Sequence, residues 1–278
     1  MTIDESILDQ IKIRDSIISL KHKVEMRYGE DCWDEYLHEG RWSLDNLVYA
    51  GVAYEPLVTQ VEIEQANRLS SMFAGPFFTS TKYPWPRNRS GKLGAPIVQI
   101  DLESTPCFTE EKLGNGLLQA WRMSGFKDYF LRVVPRDDLR MDVVTPLPEI
   151  SKIDDVVQLH KDWEMPWLSE GVSQISGYGP PFFSCAFSDF SIVDDAPEDI
   201  RQIAHFFSQL NIDTRSYQIF GTFDQIQFDH ASVGASLLIS MSNGEYGIDC
   251  FGYAGTGQIF YRKNIETSAI DFFMDSSC

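Results

Sequence analysis

No run in this 278-residue chain approaches the roughly 20 consecutive apolar residues of a membrane-spanning helix, so no membrane partner is expected. Met1 to Glu5 is acidic and lacks the basic start and apolar run of a secretory signal, which points to the cytoplasm. Cysteine is scarce. The five present (Cys32, Cys107, Cys185, Cys250, Cys278) are widely spaced and odd in number, which argues against a disulfide framework and for reduced thiols. Basic residues are outnumbered 23 to 41, and a net charge of −18 repels phosphate backbones, so nucleic-acid binding is not expected.

Catalytic and cofactor signatures are missing too. The histidines (His22, His38, His160, His205, His230) show no zinc spacing, and no Asp-x-Asp-x-Asp-Gly calcium loop occurs, so no metal is expected. His230 follows Asp229, but no Gly-x-Ser-x-Gly elbow supplies a nucleophile for a triad. Cys185 lies in an aromatic run without the basic neighbours that make a thiol reactive. Gly252 to Gly257 faintly resembles a phosphate cradle, yet Gln258-Ile259-Phe260-Tyr261 reads as a strand and not as the helix that such a loop must open. Neither catalytic residues nor a cofactor are assigned.

What is present is a globular composition, 43% hydrophobic and 13% aromatic, in a chain long enough to bury roughly 75% of its unfolded surface. Thr2-Ile3-Asp4-Glu5 has the spacing of a capping box, and Ile7, Ile11 and Ile18 predict an amphipathic helix to about Arg27. A second helix is expected from Pro56 to about Leu69. Beyond Ser70 the texture is that of strands: 95–102, 116–123, 129–135, 217–228, 236–241, 246–251 and 257–262. A helix with Asp195 as N-cap and Ile200, Ile203, Phe206, Phe207 and Leu210 on its apolar face interrupts them, with His205 read as partly buried beside the phenylalanines. A last helix is expected over about 264–274.

The chain also repeats itself. Pro96-Ile97-Val98-Gln99-Ile100-Asp101 matches Leu237-Leu238-Ile239-Ser240-Met241-Ser242, and Gly114-Asn115-Gly116 matches Gly255-Thr256-Gly257, both at a shift of 141. Gly75-Pro76-Phe77-Phe78 echoes Gly179-Pro180-Pro181-Phe182-Phe183 at a shorter shift. Two related halves packed together follow from this.

Pro96 to Leu102 followed by Gly116-Leu117-Leu118-Gln119 resembles the P-x-x-hydrophobic-Q-I-D-L and G-hydrophobic-L-Q pattern of the YwqG-like family, bacterial proteins of unknown function. Ser71 to Phe78 with Tyr83-Pro84-Trp85-Pro86, Ser176 to Pro180, and Phe251 to Phe260 resemble further family blocks in the same order. Departures are Tyr253-Ala254 for Asp-Ser, Phe251 for a tryptophan, and Ser242 for an aspartate. The resemblance implies an α+β fold, mainly antiparallel sheet, with an internally duplicated core and no settled activity. The resemblance covers about 70–278, a domain of two halves, about 70–150 and 151–278; residues 1–69 lie outside it and read as a helical N-terminal extension.

Two acidic stretches carry the functional expectation. Asp154, Asp155, Asp162 and Glu164 flank Trp163 and Trp167; Asp194, Asp195, Glu198 and Asp199 follow Ile192 and Val193. Tryptophan bordered by carboxylates suits a basic protein partner, whose capture opposite charge accelerates. Local explanations stand beside this: a core Trp, solvated acids, and acids at a helix N-terminus. The expected function is a cytoplasmic protein-binding module, an immunity protein that neutralises a bacterial toxin. The alternative is a small-ligand-binding protein or enzyme with a site between the halves, drawing on Gln99, Asp101 and the turn at Gly255.

Overall fold

The computed structural model describes residues 4–106, 113–124, 128–148, 171–185, 190–213, 215–222, 235–244, 246–248, 251, 255–264 and 266–277. Helix α1 (Glu5–Tyr28) leads into α2 (Cys32–Tyr36), β1 (Leu37–Glu39) and α3 (Arg41–Asn46). Strands β2 (Gly51–Tyr54), β3 (Pro56–Val61), β4 (Met72–Phe73), β5 (Ala95–Asp101), β6 (Leu117–Ser124) and β7 (Asp128–Val134) follow. Next come β8 (Val172–Tyr178), β9 (Phe182–Ser184), β10 (Ser191–Ile192) and α4 (Glu198–Phe207). The chain closes with β11 (Gln218–Phe220), β12 (Ser236–Ser242), β13 (Thr256–Lys263) and β14 (Ile270–Ser277). Among the described residues the registered strand pairings are antiparallel and one isolated bridge, Ser184 to Asp213, is parallel, so the class is α+β with mainly antiparallel sheet and an N-terminal helix.

By packing, the chain forms two compact units, residues 1–55 with 180–225 and residues 56–179 with 226–278. The sequence boundary at 69/70 does not coincide with any of these divisions. In the first unit α1 starts at Asp4, whose carboxylate accepts from the Ser6 amide at 3.0 Å, and ends at Gly29, whose φ of 87° suits glycine. Its buried Ile17 and Val24 join Trp33, Leu44 and Leu47, and Ile200, Ile203 and Phe207 of α4, in one core. Helix α4 is capped by Pro197, not Asp195, and His205 is exposed, its Nε2 2.9 Å from the Gln209 amide nitrogen. The apolar stripe of α4 is fully used by Ile200, Ile203 and Phe207, so a residue two positions from Phe207 faces outward. The unit's ladder runs β9, β2, β11.

The second unit carries the ladder β3, β8, β4, β5, β6, β7 and the meander β12, β13, β14. Two helix expectations fail here. Residues 56–61 form β3, because Val58, Thr59 and Val61 are β-branched and proline is tolerated as the first residue of an edge strand. Residues 270–277 form β14, held to β13 by eight registered pairs, among them Phe260 and Phe273, whose rings stack at 5.4 Å. The strand expected over 246–251 is not formed at 246–248, where Gly244, Tyr246 and Gly247 have positive φ and turn the chain, with the Gly244 amide donating to the Ile248 carbonyl at 2.7 Å; residues 249 and 250 lie outside the described ones.

The repeated segments adopt the same structure. Strand β5 pairs β6 and β12 pairs β13 with one bulge each, at Ile97 and at Leu238, which are related by the shift of 141. The Leu102 amide donates to the Gly116 carbonyl at 3.0 Å, and the Asn243 amide to the Gly255 carbonyl at 2.9 Å. This register equates Gly116 with Gly255, not Gly257, so the second turn is two residues shorter than the ungapped alignment requires. The Gly75 and Gly179 echo is not an equivalence: Gly75 follows β4, whereas Gly179 joins β8 to β9. The true counterpart of Ala74-Gly75 is Phe220-Gly221, where Ala74 (φ 42°) and Phe220 (φ 62°) are both left-handed.

Candidate functional site

The family-like motif residues build a buried polar network. In antiparallel pairing Gln99 lies opposite Gln119, which lies opposite Arg132. The Gln119 amide donates to the Phe78 carbonyl at 2.8 Å and to Gln99 Oε1 at 2.6 Å, and Gln119 Oε1 accepts from Arg132 Nε at 2.8 Å. Gln99 accepts from the Phe78 amide at 2.9 Å and donates to the Arg68 and Ser70 carbonyls. Arg68 in turn donates to the Pro76, Phe77 and Thr145 carbonyls. Together these groups fasten 68–78 to the sheet. Arg132 also donates to the Tyr83 and Pro84 carbonyls and lies 4.7 Å above the Trp121 ring. Burial draws both guanidinium pKa values down to about 10, still cationic at neutral pH. Gln99 is fully buried and saturated, so its role is structural.

Asp101 is likewise occupied. Its carboxylate pairs with Arg136 and accepts from the Glu103 amide at 3.2 Å, capping the turn after β5. Glu103 approaches Arg136 Nε at 2.6 Å, close enough for an ion pair though not aligned as a hydrogen bond.

Among the described residues no group of three His, Cys, Asp or Glu side chains is placed to hold a metal ion. Cys32 and Cys185 are buried; burial pushes the Cys185 thiol up to about 12, and burial with the Glu25 charge raises that of Cys32. Both are therefore poor nucleophiles.

Of the ten residues expected at a partner surface, Asp154, Asp155, Asp162, Trp163, Glu164 and Trp167 lie outside the described residues. The other four gather in the first unit. Asp194 and Asp195 are exposed on the turn between β10 and α4, and Glu198 and Asp199 occupy the first turn of α4. Glu198 pairs with Arg201 at 3.1 Å and Asp199 with Arg27 at 3.5 Å, so these two are partly spent within the protein.

The surroundings of that turn include residues the sequence reading did not single out. The Val193 amide donates to the Tyr36 carbonyl at 3.1 Å, which ties the turn to the end of α2. Tyr36 meets Tyr28 edge to face at 6.2 Å. Burial, the Glu35 charge, Tyr28, Cys32 and Asp195 together raise the Tyr36 pKa. Asp31, Asp34 and Glu35 are exposed on the same stretch, Asp34 pairing with Arg41. The first unit has 19 acidic against 8 basic residues, a net −11, and the larger second unit 22 against 15, a net −7. Arg27 lies 5.0 Å over the Tyr28 ring, while Tyr36, with Glu35 and Asp195 beside it, has the chemistry to receive a cationic protein surface, with aromatic area for contact and charge for steering. Composition alone carried the signal for Glu30 to Glu35, but only the fold brings them to residues 193–199.

Among the described residues no helix is long and apolar enough to cross a membrane. No protein-family model matches the chain, and no curated protein matches it.

Proposed function

We propose that this protein is a binding module for a basic protein, and that it serves in the cytoplasm as an immunity protein that neutralises a toxin by direct capture. The supporting observation is the acidic surface around Tyr28 and Tyr36, where Asp194, Asp195 and Glu35 are exposed on the more negative unit. Opposite charge speeds encounter and makes association fall with salt, which suits an inhibitor that must reach its toxin first. Nucleic acid is a poor partner for such a surface. The resemblance of 70–278 to YwqG-like proteins belongs to the same proposal: Gln99 and Gln119 have structural work to do, so their recurrence across a family needs no shared reaction.

The test is co-expression with a candidate basic toxin, should one be encoded beside the gene. Growth should recover, a complex should form, and Asp194→Lys with Asp195→Lys should abolish protection while leaving the melting temperature unchanged. Persistent growth arrest with no complex would sink the proposal.

A further inference from the structure

Strand β2 ends at Tyr54 and β3 begins at Pro56, leaving only Glu55 between them. The shortest common hairpin loop has two residues, and proline has no N–H for the ladder, so β3 does not fold back on β2. Strands β8 and β9 are joined by three residues, Gly179-Pro180-Pro181, two of which lack an N–H, and Tyr178-Gly179-Pro180 repeats Tyr54-Glu55-Pro56. The consequence is visible in the registers. Strand β2 runs between β9 and β11, with Ala53 opposite Phe182 on one side and Phe220 on the other. Strand β8 runs between β3 and β4, with Ser173 opposite Gln60 on one side and Phe73 on the other. Each half therefore gives its first strand to a ladder whose flanking strands belong to the other half.

Close packing follows the same exchange. A Cβ on Gly221 would lie 2.8 Å from Ala53 Cβ of β2, and one on Gly75 would lie 3.2 Å from Val172 Cγ1 of β8. Two small residues let the borrowed strands sit against the left-handed corners that follow β11 and β4.

From this we infer that the two halves, about 51–148 and 172–278, are obligate partners, and that the covalent link between them is dispensable once the chain has folded. Without β8, strand β3 loses its only paired strand among the described residues and β4 loses one of two; without β2, β9 loses its paired strand. Backbone donors and acceptors would be stranded on both sides of each gap, which makes a half-fold costly.

The experiment uses the full chain with a protease site inserted in the 149–170 connection and cut after folding. The nicked protein should elute as one species of full-length mass, and the midpoint of each melting transition should now rise with protein concentration, because each compact unit draws on both fragments. Separation of the fragments under native conditions, or melting midpoints that do not depend on protein concentration, would overturn the inference. Hydrogen exchange on the uncut chain gives a second reading. Ala53→Pro should remove amide protection from 182–184 and 218–220, and Ser173→Pro from 57–61 and 72–73, in each case with β5 and β6 still protected. Loss confined to the substituted strand contradicts the exchange.

Discussion

The meanders β5-β6-β7 and β12-β13-β14 share a register, a bulge and a buried glutamine, and they differ in what surrounds that glutamine. In the first, Gln119 lies between Gln99 and Arg132, and its amide and carbonyl are all engaged. In the second, Gln258 lies between Ser240 and Asp275; it is 5% exposed, and its amide nitrogen has no hydrogen-bond partner among the described residues. A shorter hydroxyl has replaced the amide and a carboxylate has replaced the guanidinium. The backbone ladder survives both changes, so the repeat is maintained by strand pairing and apolar packing, while the polar row is specific to the first copy.

The largest break in this comparison is expected at glycine. Gly116 has φ 115°, and a Cβ there would lie 2.1 Å from the Val134 carbonyl oxygen. Gly116→Ala should cost about 4 kcal/mol from backbone strain plus overlap. Gly257, which is not the counterpart of Gly116, has no positive φ, and the atoms nearest a Cβ there belong to the buried Phe251 ring and not to backbone, so Gly257→Ala should cost less, about 2 kcal/mol. Urea midpoints at unchanged m-value measure both, and equal costs would refute the contrast.

The glutamines come next. Gln119→Leu strands the Phe78 carbonyl and Arg132 Nε and leaves Gln99 Oε1 with only the Phe78 amide as donor, and should destabilise by about 3 kcal/mol. Gln258→Leu removes a donor that has no partner among the described residues, so its cost should be smaller, about 1 kcal/mol or less. A comparable loss at both positions would mean that the second row is as well satisfied as the first.

A satisfied ionic set also exists in the first unit, and there pH is the probe. Burial would raise the Glu25 pKa, but hydrogen bonds from Lys21 (2.5 Å) and the Trp33 indole (2.9 Å) outweigh it and hold the carboxyl below its ordinary value. A depressed carboxyl contributes fully above its unfolded pKa, and the contribution is lost as pH falls through the folded one. Glu25→Gln should therefore cost about 1–2 kcal/mol near neutrality, and its gap from the wild type should narrow as the pH falls below the ordinary carboxylate range. A gap of constant size would show that the charge is immaterial.

The smallest effect on folding is expected where the proposed function lies. Asp194→Asn with Asp195→Asn should change stability by no more than about 0.5 kcal/mol, as usual for exposed positions, yet slow association with a basic partner. A stopped-flow rate that is insensitive to both substitutions and to salt would remove these residues from the interface.

Much of this was legible in the residues. Periodicity placed α1 and the buried face of α4, and self-similarity placed β5 and β12 in equivalent positions. The repeated Tyr-x-Pro was equally present but carries no periodic signal, since it marks the point where the chain changes ladders. The expected helices at 56–69 and 264–274 fail because short apolar stretches do not say what they will pair with. The acidic residues at 194–199 were visible as charge; that Tyr28, Tyr36 and Glu35 join them was not.

By itself, then, the sequence determined where apolar and polar residues alternate, which segments copy one another, and that the surface is negative, since all of these are properties of neighbours along the chain. Which strand lies beside which, and so the exchange of β2 and β8, was decided only in three dimensions. Hydrogen-bonded edges find partners more than a hundred residues away, and one residue between two strands leaves no room for the local alternative.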